Sequence, residues 1–597
     1  MKQHVHDFLD MTMDARELSE KCRDYKNGIQ WTEKEVADLR ARNQAPIVDN
    51  RIKPKVEGLK GLLISRRTDP KAYARTPKHE KSSQSITDAL RYSSDKAGFD
   101  STKLDCSEDL FVEGYGGAIV ESSETIIRIP WDRIYYDPYS TRRDFKDSRY
   151  MGLILWMDKE DFVDEFGEKK WDEAFGQWDR DGGTLEDKPR WYKDTNNRPR
   201  IRVAEEFYLK KDEWRLAVFS GDMSLSDDPS PYLDEEGEPT NPIELMCTYI
   251  DRDNNRFSEV SHFLDNQDEV NHRRSKYLAL LSQRQTAGRK GAISDVPKMK
   301  RELSKANGHV EYDGEKGDFE VLKNGDMADA QFNLLRHSLQ SLDSTSFNAQ
   351  LSGERKGDLS GAAVDKLQGA GLLETQSLFD TISNWELRIY RQLWWRIKSE
   401  WNEEKWIKVT DDYNSLRYVG LNADITFGQR LQEVAEDQSQ HPQQRQQAAL
   451  VLQALSQAQD PRLNETIEHR NPIPELDMDI IIEQSPDTIN WQKEQLGMMF
   501  ELAQARPELD ITDILELTDL RNKDDLIRNI NFRRQQQLEL QAQTVQSEEQ
   551  RKNLETQGQF QVDSAEAAKK GMEALTQQLK NQLMVNNPPQ EATSVSL

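Results

Sequence analysis

The sequence predicts an α+β fold dominated by long helices, and three observations predict it. Between residues 260 and 401 apolar residues recur at the helical period; Leu378, Ile382, Trp385, Ile389 and Leu393 step by three and four, which lines them up on one buried stripe. Short strand-like segments stand among the helices on both sides of that stretch, as at 201–209 and 213–219, joined through Lys211 and Asp212 as a hairpin. Finally, 597 residues exceed what one hydrophobic core serves. With 36% hydrophobic and 31% charged residues and a mean hydropathy of -0.88, large helical surfaces must face water or polar partners.

The stretch 260–401 organises the rest. Its first helix covers 261–285, with Val270, Tyr277, Leu278 and Leu281 on an apolar face and His272, Arg273, Arg274 and Lys276 forming a basic patch. The insert that follows reads as two short strands, 291–294 and 309–312, around a helix-like segment at 297–306. A second helix begins after Asn324 and Gly325, with Phe332, Leu335, Leu339 and Leu342 on one face. Two helices bracketing a strand-bearing insert suit an antiparallel hairpin. The loop 352–358 then sets Arg355 and Lys356 between Gly353 and Gly357, whose freedom of backbone suits a turn. A helix over 360–401 would span roughly 60 Å at 1.5 Å per residue, bending at Gly369 and Gly371.

Residues 1–45 read as helical, with Thr32 and Glu35 as a capping box and Pro46 closing the last helix. Helices are expected over 51–65, 82–96 and 100–113, then a strand-like run at 117–129 entered through a turn at Gly114, Gly116 and Gly117. A strand at 150–156 leads to a short helix capped by Asp158, and 168–200 has no clear period. The acidic stretch 227–242 reads as a solvated loop. Beyond Trp401 come a small β element (405–410 and 418–419), a Gln-rich helical insertion broken at Pro442, a strand at 479–483 and helices at 490–505 and 511–517. The Gln- and Glu-rich run 530–585 is helical by propensity with a thin apolar stripe, and 586–597 is expected to be disordered.

Composition narrows function. A formal charge of -26, from 107 acidic and 81 basic residues, is wrong in sign for a tight DNA clamp, which binds by neutralising phosphates. If DNA touches it, the sign favours a surface past which a duplex slides. Cys22, Cys106 and Cys247 form no CxxC pair, so neither a disulfide framework nor a zinc site is expected. No apolar run approaches 18 residues and the N-terminus has no hydrophobic core segment, so no membrane span or secretory signal is expected. Phosphate-loop, dinucleotide, zincin and nucleophile-elbow motifs are missing, and the nearest mimic, 353–357, lacks the Lys-Ser/Thr that holds phosphate and magnesium. No enzyme activity and no cofactor or metal are therefore expected. The isolated histidines suit packing, and Trp385, Trp394, Trp395 and Trp401 suit a core more than base stacking.

The segments NHRRSKYLALLSQRQ (271–285), SGERKGDLSGAAV (352–364) and WELRIYRQLWWRIKSEW (385–401) resemble the portal, or head-to-tail connector, proteins of short-tailed double-stranded DNA phages. So do IPWDRIYYDPYSTRRDFKDSRY (129–150) and DMDIIIEQSPDTINWQKEQ (477–495). The resemblance spans about 46–530. It implies a ring oligomer, dodecameric in the family, with a wing at 1–259, stem helices at 260–285 and 326–345, and a clip at 286–325. It further implies a tunnel loop at 346–359, a kinked wing helix at 360–402, a crown and wing region at 403–529, a helical barrel segment at 530–585 and a tail at 586–597. Implied partners are other copies of the chain, a transient terminase, a tail adaptor, the major capsid and scaffolding proteins, and duplex DNA passing through. Implied site residues are Arg355 and Lys356 in the tunnel loop, and Arg289, Lys290, Lys298, Lys300 and Arg301 in the clip. Arg273, Arg274 and Lys276 either line the channel or pair with acidic residues of a neighbouring subunit, and the acidic excess favours pairing. The rival readings are a self-associating scaffolding or minor capsid protein without a pore, and a DNA-processing enzyme with a divergent site.

Overall fold

Four helices open the chain: α1 (Lys2–Met11), α2 (Met13–Asn27), α3 (Glu33–Ala41) and α4 (Ile52–Ser65). The capping box forms as expected, with Glu35 N donating to Thr32 Oγ1 at 3.3 Å and Thr32 N donating to the Glu35 carboxylate at 2.9 Å. Helix α3 ends at Ala41, before Pro46 could stop it. This computed structural model describes residues 1–42, 44–66, 68–175, 198–282, 285–305, 307–322, 325–345, 375–412, 415–436, 442–458, 460–484, 530, 533–534 and 569–571. They fall in two units, Met1–Ser485 and Pro486–Leu597. In the second only the six residues from 530 onward are described, all helical, so the helices expected at 490–505 and 511–517 and the tail lie outside the described residues.

The first unit continues through β1 (Thr68–Ala74), α5 (Ser83–Ala97), α6 (Phe99–Glu113), β2 (Tyr115–Ser122), β3 (Thr125–Ile129), β4 (Ile134–Tyr136), β5 (Tyr150–Asp158), α7 (Lys159–Phe166) and α8 (Glu168–Ala174). Next come β6 (Arg200–Lys210), β7 (Glu213–Ser220), β8 (Met223–Pro229), β9 (Ile243–Cys247), β10 (Tyr249–Ile250) and β11 (Arg256–Phe257). The central stretch supplies α9 (Leu264–Ser282), β12 (Thr286–Gly288), α10 (Val296–Leu303), β13 (Phe319–Val321), α11 (Gly325–Thr345) and α12 (Gln376–Glu400). The last elements are β14 (Lys405–Asp412), β15 (Ser415–Leu421), β16 (Ala423–Thr426), α13 (Phe427–Glu436), α14 (Pro442–Gln457), β17 (Thr466–Arg470) and β18 (Met478–Gln484).

Strands β4 to β8 form a five-stranded antiparallel meander in chain order, and β3-β2-β9 form a second sheet. The expected hairpin between β6 and β7 turns on Lys211 and Asp212, both at positive φ (52° and 66°), the left-handed pair that matches the twist of the flanking strands. Strand β1 pairs with β18 from Thr68↔Gln484 to Ala74↔Met478.

The core forms around α12. All five stripe residues, Leu378, Ile382, Trp385, Ile389 and Leu393, are at most 1% exposed. They pack with residues of α5, α6, β2 and β18, and the rings of Trp385 and Tyr390 flank Phe99 at 5.8 and 5.4 Å. Trp385 Nε1, buried in this cluster, donates to Glu244 O at 2.9 Å. Trp394 and Trp401 are also buried and Trp395 packs against the same cluster, so the tryptophans are core residues, as their spacing predicts. A second cluster seats Val5 and Phe8 of α1 on the meander. A third joins α2 and α4 to the base of α9 and α11. The three cysteines are buried and free, and burial pushes the Cys22 thiol up to about 12 and that of Cys247 to about 11, so they are protonated packing residues.

Three local expectations need correction. Only Gly114, at φ 97°, makes the turn after α6. Gly116 and Gly117 lie inside β2, where a Cβ would come within 2.7 Å of Cys106 O and 2.4 Å of Glu244 O, so they permit close packing of α6 and β9 on the strand. Asp158 occupies the N-cap of α7 without a side-chain capping bond; its carboxylate is held by Arg198 and Arg200, because two guanidinium donors outcompete a backbone amide. Residues 168–174, which show no clear period, form α8 with Trp171 and Ala174 buried.

One half-buried carboxyl makes the meander pH-sensitive. Glu205 on β6 lies near Glu121 and Glu165, and burial together with those two carboxylates pushes it up to about 7. A folded-state value above that of the unfolded chain means that folding binds the proton, so stability falls as pH rises from about 4.5 to about 7. Glu205→Gln is therefore expected to stabilise the protein by up to about 3 kcal/mol near pH 8 and to match the parent near pH 4, read from paired thermal melts.

Candidate functional site

Helices α9 and α11 form the expected antiparallel hairpin. Near its base, Leu342 packs in one cluster with Val260, Phe263 and Leu264, and Lys55 donates to Leu342 O at 2.9 Å while lying over the Phe263 ring. Further out, Tyr277 meets Phe332 with ring centroids 5.8 Å apart. The faces differ from the sequence reading. Val270, Leu335 and Leu342 are buried, but Leu278, Leu281 and Phe332 are 43, 50 and 48% exposed. Two packed helices can cover only the sides they turn to each other, and the wider apolar face here reaches around both flanks.

The hairpin is fastened to the rest of the unit by a polar ladder on α9. Gln267, Asn271 and Ser275, spaced four residues apart on one face, are all at most 1% exposed. Their side-chain oxygens accept from the backbone amides of Arg51, Asp49 and Ile47 at 3.0, 2.9 and 3.0 Å. Gln267 Nε2 donates back to Asp49 O at 2.8 Å, and Asn271 Nδ2 donates to Gln30 at 2.6 Å. Sequence reasoning missed this ladder because amides and hydroxyls on a helix read as a wet face. The only signal was their recurrence at every fourth residue of α9.

The sequence-predicted site residues separate into three groups. Arg273 pairs with Glu269 one turn away at 2.5 Å, and Arg274 pairs with Asp49. Both partners belong to the same chain, and the segment 47–51, brought in by the polar ladder, places Asp49 there. Lys276 is exposed. Arg289, Lys290, Lys298, Lys300 and Arg301 are all exposed in the insert between the helices. Arg355 and Lys356, like the bend expected at Gly369 and Gly371, lie outside the described residues.

The insert itself is closed at its neck by the β12–β13 pair, Thr286↔Val321 to Gly288↔Phe319. Neither expected strand exists: Gly291, at φ 98°, lies in a turn closed by Ala292 N donating to Arg289 O at 3.1 Å, and 309–312 are irregular. The helical segment is α10, capped by Asp295, whose carboxylate accepts from Lys298 N at 2.9 Å. The neck strands follow directly on α9 and precede α11, so the packed helices already hold them close and little further closure is needed to pair them. Among the described residues no three His, Cys, Asp or Glu side chains gather as a metal site, and no helix is long and apolar enough to cross a membrane.

A helix-dominated α+β fold of this kind is consistent with a phage portal, or head-to-tail connector, subunit. The family model described as Phage P22-like portal protein matches residues 2–578, and the chain belongs to that family. No curated protein matches it. It is thus a structural, non-catalytic virion protein that provides the DNA-packaging channel at a capsid vertex, assembled in the host cytoplasm. Proteins of this family interact with terminase, tail and capsid proteins.

Proposed function

We propose that copies of this chain close into a ring, a dodecamer as the family resemblance implies, with the α9–α11 hairpin as its stem around the channel. The observation that carries the reading is the unfinished burial of that hairpin. Leu278, Leu281, Met327, Phe332 and Leu334 are 43 to 59% exposed on two helices that already pack on each other. Covering those side chains with the hairpins of adjacent copies would remove them from water at about 25 cal/mol per Å². The net charge of -26 supports a conduit that does not grip the duplex. In this reading 1–259 and 360–402 belong to the wing, 286–325 is the clip that meets terminase and later the tail adaptor, 403–529 contributes crown and wing, and 530–585 is a helical barrel segment. The exposed Arg289, Lys290, Lys298, Lys300 and Arg301 lie on the clip arm that presents this docking surface. Major capsid and scaffolding proteins are further partners of the ring in this reading.

Images of the purified chain test the ring; a solid monomer at all concentrations would end the proposal. The tunnel loop carries a separate expectation. Its Arg355 and Lys356 touch passing phosphates weakly, so replacing both with alanine should leave ring formation intact while DNA packaging or retention changes. An unaltered phage yield would remove the loop from the mechanism.

A further inference from the structure

The insert between α9 and α11 is electrically divided. Residues 286–305 hold six cations (Arg289, Lys290, Lys298, Lys300, Arg301 and Lys305) against Asp295 and Glu302, a balance of +4. Residues 307–321 hold five carboxylates (Glu311, Asp313, Glu315, Asp318 and Glu320) against Lys316, a balance of -4. Backbone bonds hold these two arms side by side: β12 pairs with β13, Asp313 N donates to Ala292 O at 2.9 Å, and Arg289 N donates to Asp318 O at 3.2 Å. Their side chains nevertheless do not neutralise each other. The ion pairs of the insert, Lys305 with Glu302 at 2.7 Å and Lys316 with Asp313 at 2.8 Å, each stay within one arm, and among the described residues none joins the arms. Each arm also exposes one large apolar side chain, Val296 at 46% and Tyr312 at 52%.

We infer that the basic arm of one copy docks on the acidic arm of a second copy, so that successive clips interlock around the ring. A closed cyclic assembly uses a heterologous contact, in which two different and complementary surfaces of the same chain meet at every interface. The two arms are such a pair, equal in charge and opposite in sign. Because the insert as a whole is neutral, this is a place where strongly acidic copies approach without mutual repulsion. Opposed charges at such a contact also select the register and reject like against like. The inference rests on the ring reading above, and it makes a second copy of the chain, ahead of terminase or adaptor, the first partner of the clip cations.

The test uses three full-length variants. Lys298, Lys300 and Arg301 changed together to Glu make both arms acidic, and Glu311, Glu315 and Glu320 changed together to Lys make both arms basic. The third variant carries all six changes. Each single-arm variant should lower the ring fraction, counted in particle images at about 0.15 M salt, by at least tenfold. The six-fold variant should restore rings, as should co-expression of the two single-arm chains, because an acidic clip then finds a basic one on either side. Rescue by mixing excludes misfolding as the cause of each single failure. Full ring yield from the single-arm variants overturns the inference, and a packaging defect in such rings would assign the cations to terminase or adaptor docking instead. Failure of both rescues also overturns it. Failure of the parent chain to form rings would sink the ring reading itself, a result distinct from either.

Discussion

Replacing Arg23 with alanine is expected to destabilise the first unit by about 3–5 kcal/mol, because it strands buried carboxylates. Arg23 on α2 reaches into α6, where its guanidinium binds both oxygens of Glu113, one of them at 2.7 Å, and also Asp109 at 3.0 Å and Glu108 at 2.8 Å. Glu113 and Asp109 are fully buried. Arg128 holds Asp109 through two bonds of 2.6 and 2.7 Å, and Lys26 and Lys60 hold Glu108. Glu113 has no second cation in the described pairs. Even with Arg23 present, burial holds the Glu113 carboxyl well above its ordinary range. Since that raised value means the folded state binds the proton more tightly, stability falls as pH climbs above the ordinary glutamate range near 4.5. Removing Arg23 must extend that loss, so the variant should melt far below the parent near pH 8 and recover part of the gap near pH 5. A pH-independent deficit would show that the guanidinium acts only through packing.

A second large effect is expected at Lys103. Its ammonium on α6 is 2.8 Å from Glu386 on α12 and 2.8 Å from Thr68 Oγ1 on β1, and Thr68 also bonds Glu386. Lys103 is 6% and Glu386 1% exposed. Lys103→Met leaves an uncompensated buried carboxylate and should cost about 3–5 kcal/mol, whereas Lys103→Met with Glu386→Leu removes both charges and should fall near or above the parent. Urea midpoints for the two single variants and the double close the cycle. A double variant as unstable as Lys103→Met alone would mean that the network holds α6, β1 and α12 in place for reasons other than charge compensation. The contrast bears on the whole unit, since α12 is the element on which the first unit's largest core is built.

The two networks show where sequence reading stops. Leu378 to Leu393 could be assigned to one buried stripe because helical period is a local property, and the stripe is buried in full. The capping box at Thr32 and the hairpin at Lys211 and Asp212 were legible for the same reason, each being a contract among residues three or four apart. Strand β18 was expected, yet its partner was not, because β1 carries Pro70, which demotes a run to an edge or a loop. On α9 the cations at 273 and 274 were visible, but the choice of Glu269 and Asp49 as their partners was not. The insert's charges were visible as well, and only the backbone placement of its two arms set them side by side without pairing.

The sequence by itself determined the helix-dominated α+β class, the hairpin with its insert, the core face of α12, and the acidic balance that rules out a clamp. Tertiary structure alone decided which distant residues meet: β1 with β18, the backbone at 47–51 with Gln267, Asn271 and Ser275, and Arg23 with Glu113. Local period follows from the geometry of a few bonds, whereas a polar or charged side chain finds its partner only after the chain has buried it, when leaving it unpaired costs more than any local preference can supply.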